Sequence, residues 1–152
     1  MKLTTLNFKE VLKELAQYKI ELTKKDLIQL QEEEQKFILI NKEPAFFYLQ
    51  NKPLPLLKYL QHPEHQHILK KITIDMGAIK FIINGADVMR PGITAIEEGI
   101  QKDEPVVIID QTHKKPLAVG IALFSGEEMQ KMTSGKVIKN VHYVGDELWK
   151  KG

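Results

Sequence analysis

Residues 75–93 read DMGAIKFIINGADVMRPGI, a run with two helix-punctuation signals and a proline–glycine turn. The Asp75 carboxylate can accept hydrogen bonds from the unpaired amides of a helix's first turn, which makes Asp75 a helix N-cap. Met76, Ile79, Ile82 and Ile83 follow at helical spacing on one face, with Lys80 opposite. Gly85 stands where a left-handed residue closes such a helix, because glycine adopts positive φ without a Cβ clash. Ala86 to Met89 then alternates like a short strand and runs into Arg90-Pro91-Gly92, a turn. A helix of two turns does not stand unaided, so this stretch must be packed on by the rest of the chain.

Working outward from Gly92, the pattern becomes mostly β. Ile93, Ala95 and Ile96 continue a strand, and polar connections follow at Glu97–Gly99 and Gln101–Glu104. Pro105 to Asp110 and Leu117 to Phe124 read as buried strands, joined by a polar turn from Gln111 to Pro116. Gly120, inside the second, marks a bulge or a close backbone approach. Ser125 and Glu128 have capping-box spacing for a short helix ending at Gly135. Lys136 to Tyr143 alternates as a closing strand, and Asp146-Glu147-Leu148-Trp149 forms a terminal turn or helix. Many short strands with glycine-bearing turns predict a small barrel.

Upstream, the signals are more helical. Asn7 to Tyr18 is amphipathic, with Phe8, Val11, Leu12 and Leu15 on one side. Thr23-Lys24-Lys25-Asp26 resembles a capping box with Asp in place of the usual Glu or Gln. It predicts a second helix whose apolar face is Leu27, Ile28 and Leu30. Phe37–Ile40 and Phe46–Leu49 flank Asn41-Lys42-Glu43-Pro44 as a hairpin. Leu54 to Leu60 reads as a short helix with Pro55 in its first turn, and Lys70 to Asp75 as a strand entering the opening stretch. The expected class is α+β: a small N-terminal α/β domain over residues 1–71, then a β-rich domain over residues 72–152.

Composition bounds the function loosely. The chain has 152 residues, 43% hydrophobic and 28% charged, and no cysteine. That fits a folded domain with a real core and removes thiol chemistry and disulfides. No apolar run is long enough for a membrane helix, so no membrane partner is expected and the cytoplasm is the expected compartment. Residues 1–71 carry twelve lysines against nine acids, and residues 72–152 nine lysines and one arginine against eleven acids. Neither half is strongly basic, so charge alone does not point to nucleic acid. His62, His65 and His67 cluster around Pro63; a metal site there would need further ligands, and the alternative is a surface loop. The run Glu32-Glu33-Glu34 reads as a solvated surface. There is no nucleophile elbow, phosphate-binding loop or zinc spacing, so neither catalysis nor a cofactor is expected.

The DMGAIKFIINGADVMRPGI block, the LAVGIALFS strand and the closing strand ending in Asp146-Glu147-Leu148-Trp149 together resemble a PUA domain, an RNA-binding module. With the preceding FILINKEPAFFYLQNKPLPLLKYLQHP, residues 35–150 resemble the malignant-T-cell-amplified-sequence family and its archaeal relatives. The resemblance implies an N-terminal pre-PUA domain and a C-terminal PUA pseudobarrel of about six strands. It also implies a role in translation: binding the acceptor end of tRNA, or rRNA of the small ribosomal subunit, beside a partner with a SUI-type domain. Carried over, the RNA contacts fall on Gly85, Ala86, Asp87, Arg90, Pro91 and Gly92, and on His142 and Tyr143. Spacing adds Lys80, and the closing strand adds Lys136 and Lys139 for phosphates. Arg90 is the one arginine in the chain; its replacement by alanine is expected to flatten the salt dependence of RNA binding by about one unit. A protein–protein adaptor is the alternative, including a detached tRNA-docking module for an archaeosine-type transglycosylase on another chain.

Overall fold

A computed structural model describes all 152 residues. Apart from Gly152, they form two compact units, Met1–Ile68 and Leu69–Lys151.

In the first unit, β1 (Lys2–Thr5), β2 (Ile28–Glu32), β3 (Lys36–Ile40), β4 (Glu43–Leu49) and β5 (Lys52–Pro55) lie side by side in chain order, each antiparallel to the next. Helix α1 (Phe8–Leu15) starts at Asn7, whose side chain accepts from Lys9 N–H at 2.9 Å. It buries Val11 and Leu15 and gives way to a 3-10 turn that stops at Lys19, φ 52°. Phe46, Phe47, Ile38, Leu56, Leu57 and Leu60 are fully buried and fill the core of this unit. The β3–β4 and β4–β5 hairpins turn on left-handed pairs, Asn41-Lys42 and Gln50-Asn51, which match the twist of the flanking strands.

Two expectations are corrected here. No helix starts at Thr23. The capping-like contacts do form, with Thr23 N–H donating to Asp26 Oδ2 at 2.8 Å, but they close a single turn. Asn41, on the β3–β4 hairpin, donates to Asp26 Oδ1 at 2.9 Å and accepts from Leu27 N–H at 2.8 Å. Held there, Ile28–Glu32 pairs with Lys36–Ile40 as strand β2. Leu54–Leu60 is not one helix either: Lys52–Pro55 pairs with β4, leaving α2 only Leu57–Leu60.

The second unit contains β6 (Lys70–Ile74), α3 (Ile79–Ile82), β7 (Val88–Met89), β8 (Ile93–Ile96), β9 (Pro105–Asp110), β10 (Pro116–Ala122), α4 (Gly126–Lys131), β11 (Lys136–Tyr143) and α5 (Glu147–Lys151). Its six-stranded sheet has the order β7-β11-β10-β9-β6-β8 and curls into a half-barrel. The β6–β9 pair is parallel and the others antiparallel. Ile72, Ile74, Val106, Ile108, Ala118, Ala122, Met129 and Ile138 form the centre of its core. The α+β class is as expected.

Several local readings hold. Ser125 accepts from Glu128 N–H, and Glu128 accepts from Ser125 N–H, both at 3.2 Å, completing the capping box. That helix stops at Met132, short of Gly135. The β10–β11 register shifts between Val119 and Gly120. A Cβ on Gly120 would overlap Ile138 and lie 2.9 Å from the Lys139 carbonyl, so the backbones approach too closely for a side chain. No helix is long and apolar enough to cross a membrane.

Candidate nucleic-acid interface

The stretch from Asp75 to Gly92 closes on itself. Asp75 Oδ1 accepts from Ala78 N–H at 2.8 Å, capping a 3-10 turn over Met76–Ala78. Asp75 N–H donates to the Gly92 carbonyl at 2.9 Å, which draws the two ends together. Gly92 is packed so that an added Cβ would stand 3.3 Å from that of Ala78. The helix begins as 3-10, and its three residues per turn rotate the apolar face away from the α-helical expectation. Ile82 is buried and Ile79 half-buried, but Met76 is 42% exposed and Ile83 39%. Phe81 and Met89 are exposed as well, at 58% and 51%.

Between this stretch and the start of β11 lies a groove of about 650 Å³, within the range of a small-ligand site. Its lining is Asp75, Gly77, Ala78, Phe81, Ile82, Ala86, Asp87, Val88, Met89, Pro91, Gly92 and Lys136. Most of those surfaces are apolar or backbone, which suits an unstacked base. Lys80 is exposed and holds its ammonium 5.1 Å from the Phe81 ring centroid, a cation–π approach.

The residues singled out in the sequence separate into three groups. Ala86, Asp87, Pro91, Gly92 and Lys136 line the groove. Lys80 stands beside it through Phe81, and Lys139 is exposed further along β11. Gly85, Arg90, His142 and Tyr143 hold the frame. Gly85, with φ 92°, closes α3 as expected and lies against the Tyr143 ring. Arg90 donates from Nε to the Met129 carbonyl at 2.6 Å and from one terminal nitrogen to the Ile93 carbonyl at 3.4 Å. Its backbone N–H meets the Gly135 carbonyl at 2.8 Å.

His142 is the clear correction. It is 1% exposed, so it presents no surface to RNA. Its Nδ1–H donates to the Asp146 carboxylate at 3.0 Å. Burial holds its pKa below the ordinary imidazole value and outweighs Asp146, which acts the other way. Asp146 also accepts from the backbone of Tyr143 and Trp149, at 2.9 and 2.8 Å, tying β11 to α5.

Two contributors escaped the sequence reading. Phe81 was hidden inside an apolar helix pattern in which exposure carries no signal. Asn140 donates from Nδ2 to the Ile82 and Ala86 carbonyls, at 3.1 and 3.0 Å, and its backbone N–H meets Asp87 Oδ1 at 2.8 Å. It thereby ties the glycine segment to β11. A polar residue in an alternating strand is the only trace of this in the sequence. In the other unit, the three clustered histidines do not converge on a metal site: His62 meets Glu43 at 3.0 Å, and His65 stacks on Tyr59 with centroids 3.8 Å apart.

The family of PUA domains matches residues 70–144, and a domain of unknown function (DUF1947) matches residues 4–63. The curled sheet with its capped 3-10 turn, glycine stop and closing strand is thus a PUA domain carried behind a second module. An uncharacterised protein of Methanocaldococcus jannaschii is 49% identical over 74% of this chain and 68% of its own length. Translation machinery-associated protein 20 of Schizosaccharomyces pombe is 33% identical over 95% of this chain and 79% of its own. A crystal structure of a hypothetical protein from Pyrococcus horikoshii superposes with a TM-score of 0.87 at 31% identity, covering 99% of both chains. The chain belongs to the family of translation machinery-associated protein 20 and malignant T-cell-amplified sequence 1, the zebrafish form of which is 34% identical over 63% of its own length.

Proposed function

We propose that this protein binds RNA in the service of translation and takes an unpaired RNA end, at the acceptor end of tRNA or in rRNA, into the groove beside α3. The observation that carries this reading is the groove itself. It lies on a PUA domain, is lined by the glycine segment and Lys136, and has an exposed aromatic, Phe81, at its edge. Apolar surface and an aromatic ring take up the face of a base, while the exposed Lys80 and Lys139 supply cations for the flanking phosphates. The protein acts by binding, without catalysis or a cofactor, in the cytoplasm. The name of its fission-yeast relative refers to the translation machinery. In keeping with that, the proposed surroundings are the small ribosomal subunit and a SUI-domain partner.

Filter binding of a tRNA transcript with and without its 3′ CCA, across a salt series, tests this. Tighter binding of the intact end is expected, with a salt slope that falls by about one unit in Lys80→Gln. No RNA affinity at low salt, together with a stable complex in a protein pull-down, overturns the reading in favour of the adaptor. Exposed Met76, Phe81, Ile83 and Met89 would then be its docking surface.

A further inference from the structure

The groove is less basic than a phosphate site needs to be. Among its lining residues, Asp75 and Asp87 are carboxylates and Lys136 is the one cation. Lys136 Nζ lies 3.4 Å from Asp87 Oδ2, so its charge is balanced before any ligand arrives. Arg90 adds nothing to the lining, since its guanidinium is turned to the Met129 and Ile93 carbonyls. Lys80 stands outside the lining, over the Phe81 ring.

Each carboxylate is anchored by one oxygen. Asp75 Oδ1 accepts from Ala78 N–H and Asp87 Oδ1 from Asn140 N–H, both at 2.8 Å. Two negative charges against one positive repel phosphate at short range. The remaining lone pairs of these carboxylates, including that of Asp87 Oδ2 beside Lys136, are good acceptors for hydroxyl donors, as when a carboxylate reads a ribose diol in dinucleotide sites. An internal nucleotide would bring a phosphate on each side of its sugar. A terminal nucleotide with a free diol brings one, which can stay at the rim near Lys80. A terminal phosphate would add about −1.5 to −2 charges at neutral pH.

Resting on the RNA reading above, we infer that Asp87 is a specificity-determining residue that makes the groove select an RNA end with a free 2′,3′-diol over the same end carrying a 3′-phosphate. Asp87 does so in two ways: it supplies an acceptor for the diol, and it keeps Lys136 from serving as a phosphate site. Its anchoring by Asn140 keeps the carboxylate in place at the groove wall.

Fluorescence anisotropy with one short unstructured RNA, made with a 3′-hydroxyl and with a 3′-phosphate, tests this at about 0.1 M salt, where charges within roughly 10 Å still interact. The full chain is expected to bind the hydroxyl end about tenfold tighter. Asp87→Asn keeps an oxygen for the Asn140 amide, so it is expected to fold, to narrow that ratio to about twofold or less and to bind the phosphate end more tightly. Lys136→Gln leaves Asp87 unbalanced and is expected to weaken both ends while widening the ratio. Equal affinities for the two ends in the unaltered protein overturn the inference. So does an Asp87→Asn variant that loses affinity for both ends in the same proportion, the mark of a merely structural residue. If Asp87→Asn does not fold, Lys136→Gln decides, and an unchanged ratio there overturns it. Failure to bind either RNA overturns the RNA reading first, and this inference falls with it.

Discussion

The backbone of Gly85 lies against the ring of Tyr143, so close that an added Cβ would stand 3.1 Å from Cε1 and 3.3 Å from the hydroxyl oxygen. Gly85 also has φ 92°, a conformation that side chains resist. Both constraints act together in Gly85→Ala, which is expected to destabilise the PUA domain by about 1–3 kcal/mol. Urea unfolding checks the loss. In Gly85→Ala/Tyr143→Leu part of it should be recovered, because the smaller side chain relieves the contact while the φ strain persists.

Asn140 joins β11 to α3 and the glycine segment through two donated hydrogen bonds. Asn140→Ala leaves the Ile82 and Ala86 carbonyls without that donor and is expected to cost about 1–3 kcal/mol. Asn140→Asp should cost more, because it sets a carboxylate against the same two carbonyls and beside Asp87. Thermal melts of the two variants provide the comparison; an aspartate no worse than alanine would remove the amide's role.

Arg90 is expected to matter for stability more than for phosphate contact. In Arg90→Ala the Met129 carbonyl loses its 2.6 Å donor, at a cost of about 1–2 kcal/mol. The slope of RNA affinity against salt should stay unchanged. A slope shallower by about one unit would restore the phosphate role expected of the only arginine.

His142 is expected to make the protein sensitive to mild acid. Its folded pKa lies below the ordinary 6.5 because burial disfavours the charged ring. Between the two values the unfolded chain therefore binds a proton that the native one does not. The stabilisation is complete above pH 6.5 and is lost as pH falls through that value towards the folded pKa. Urea midpoints measured from pH 8 down to pH 5 should decline, and His142→Phe should flatten the decline over that window. An unchanged profile would show that the buried ring is not the group responsible.

Signals that complete themselves within a few residues were legible in the sequence. The Ser125–Glu128 capping box, the glycine stop at 85, the Asp75 cap, the buried strand at 105–110 and the closing strand at 136–143 all formed where their chemistry placed them. Thr23–Asp26 shows the limit of such signals. Its internal hydrogen bonds formed as well, yet their outcome was set by Asn41, fifteen residues from Asp26. Leu27, Ile28 and Leu30 fit either a helix face or a strand, and pairing with β3 selected the strand.

The site divides along the same line. The run from Gly85 to Gly92 could be named as the candidate binding element from its glycines, its proline and its resemblance to PUA domains. Which side chains face the groove could not be named, because the partners that claim them lie far away in the chain. Arg90 is taken by Met129, 39 residues on, and Ile82 is bound by Asn140, 58 residues on. His142 is drawn into the core by strand alternation, although Asp146, four residues away, still holds its ring. By itself, then, the sequence determined the family, the α+β class and the segment that lines the groove, since motif spacing and local hydrogen bonding are written in consecutive residues. Only the tertiary structure decided that Phe81 and Met89 are exposed, that Arg90 and His142 are internal, and that Asp87 stands beside Lys136 at the groove. Burial and charge pairing depend on which distant strands meet.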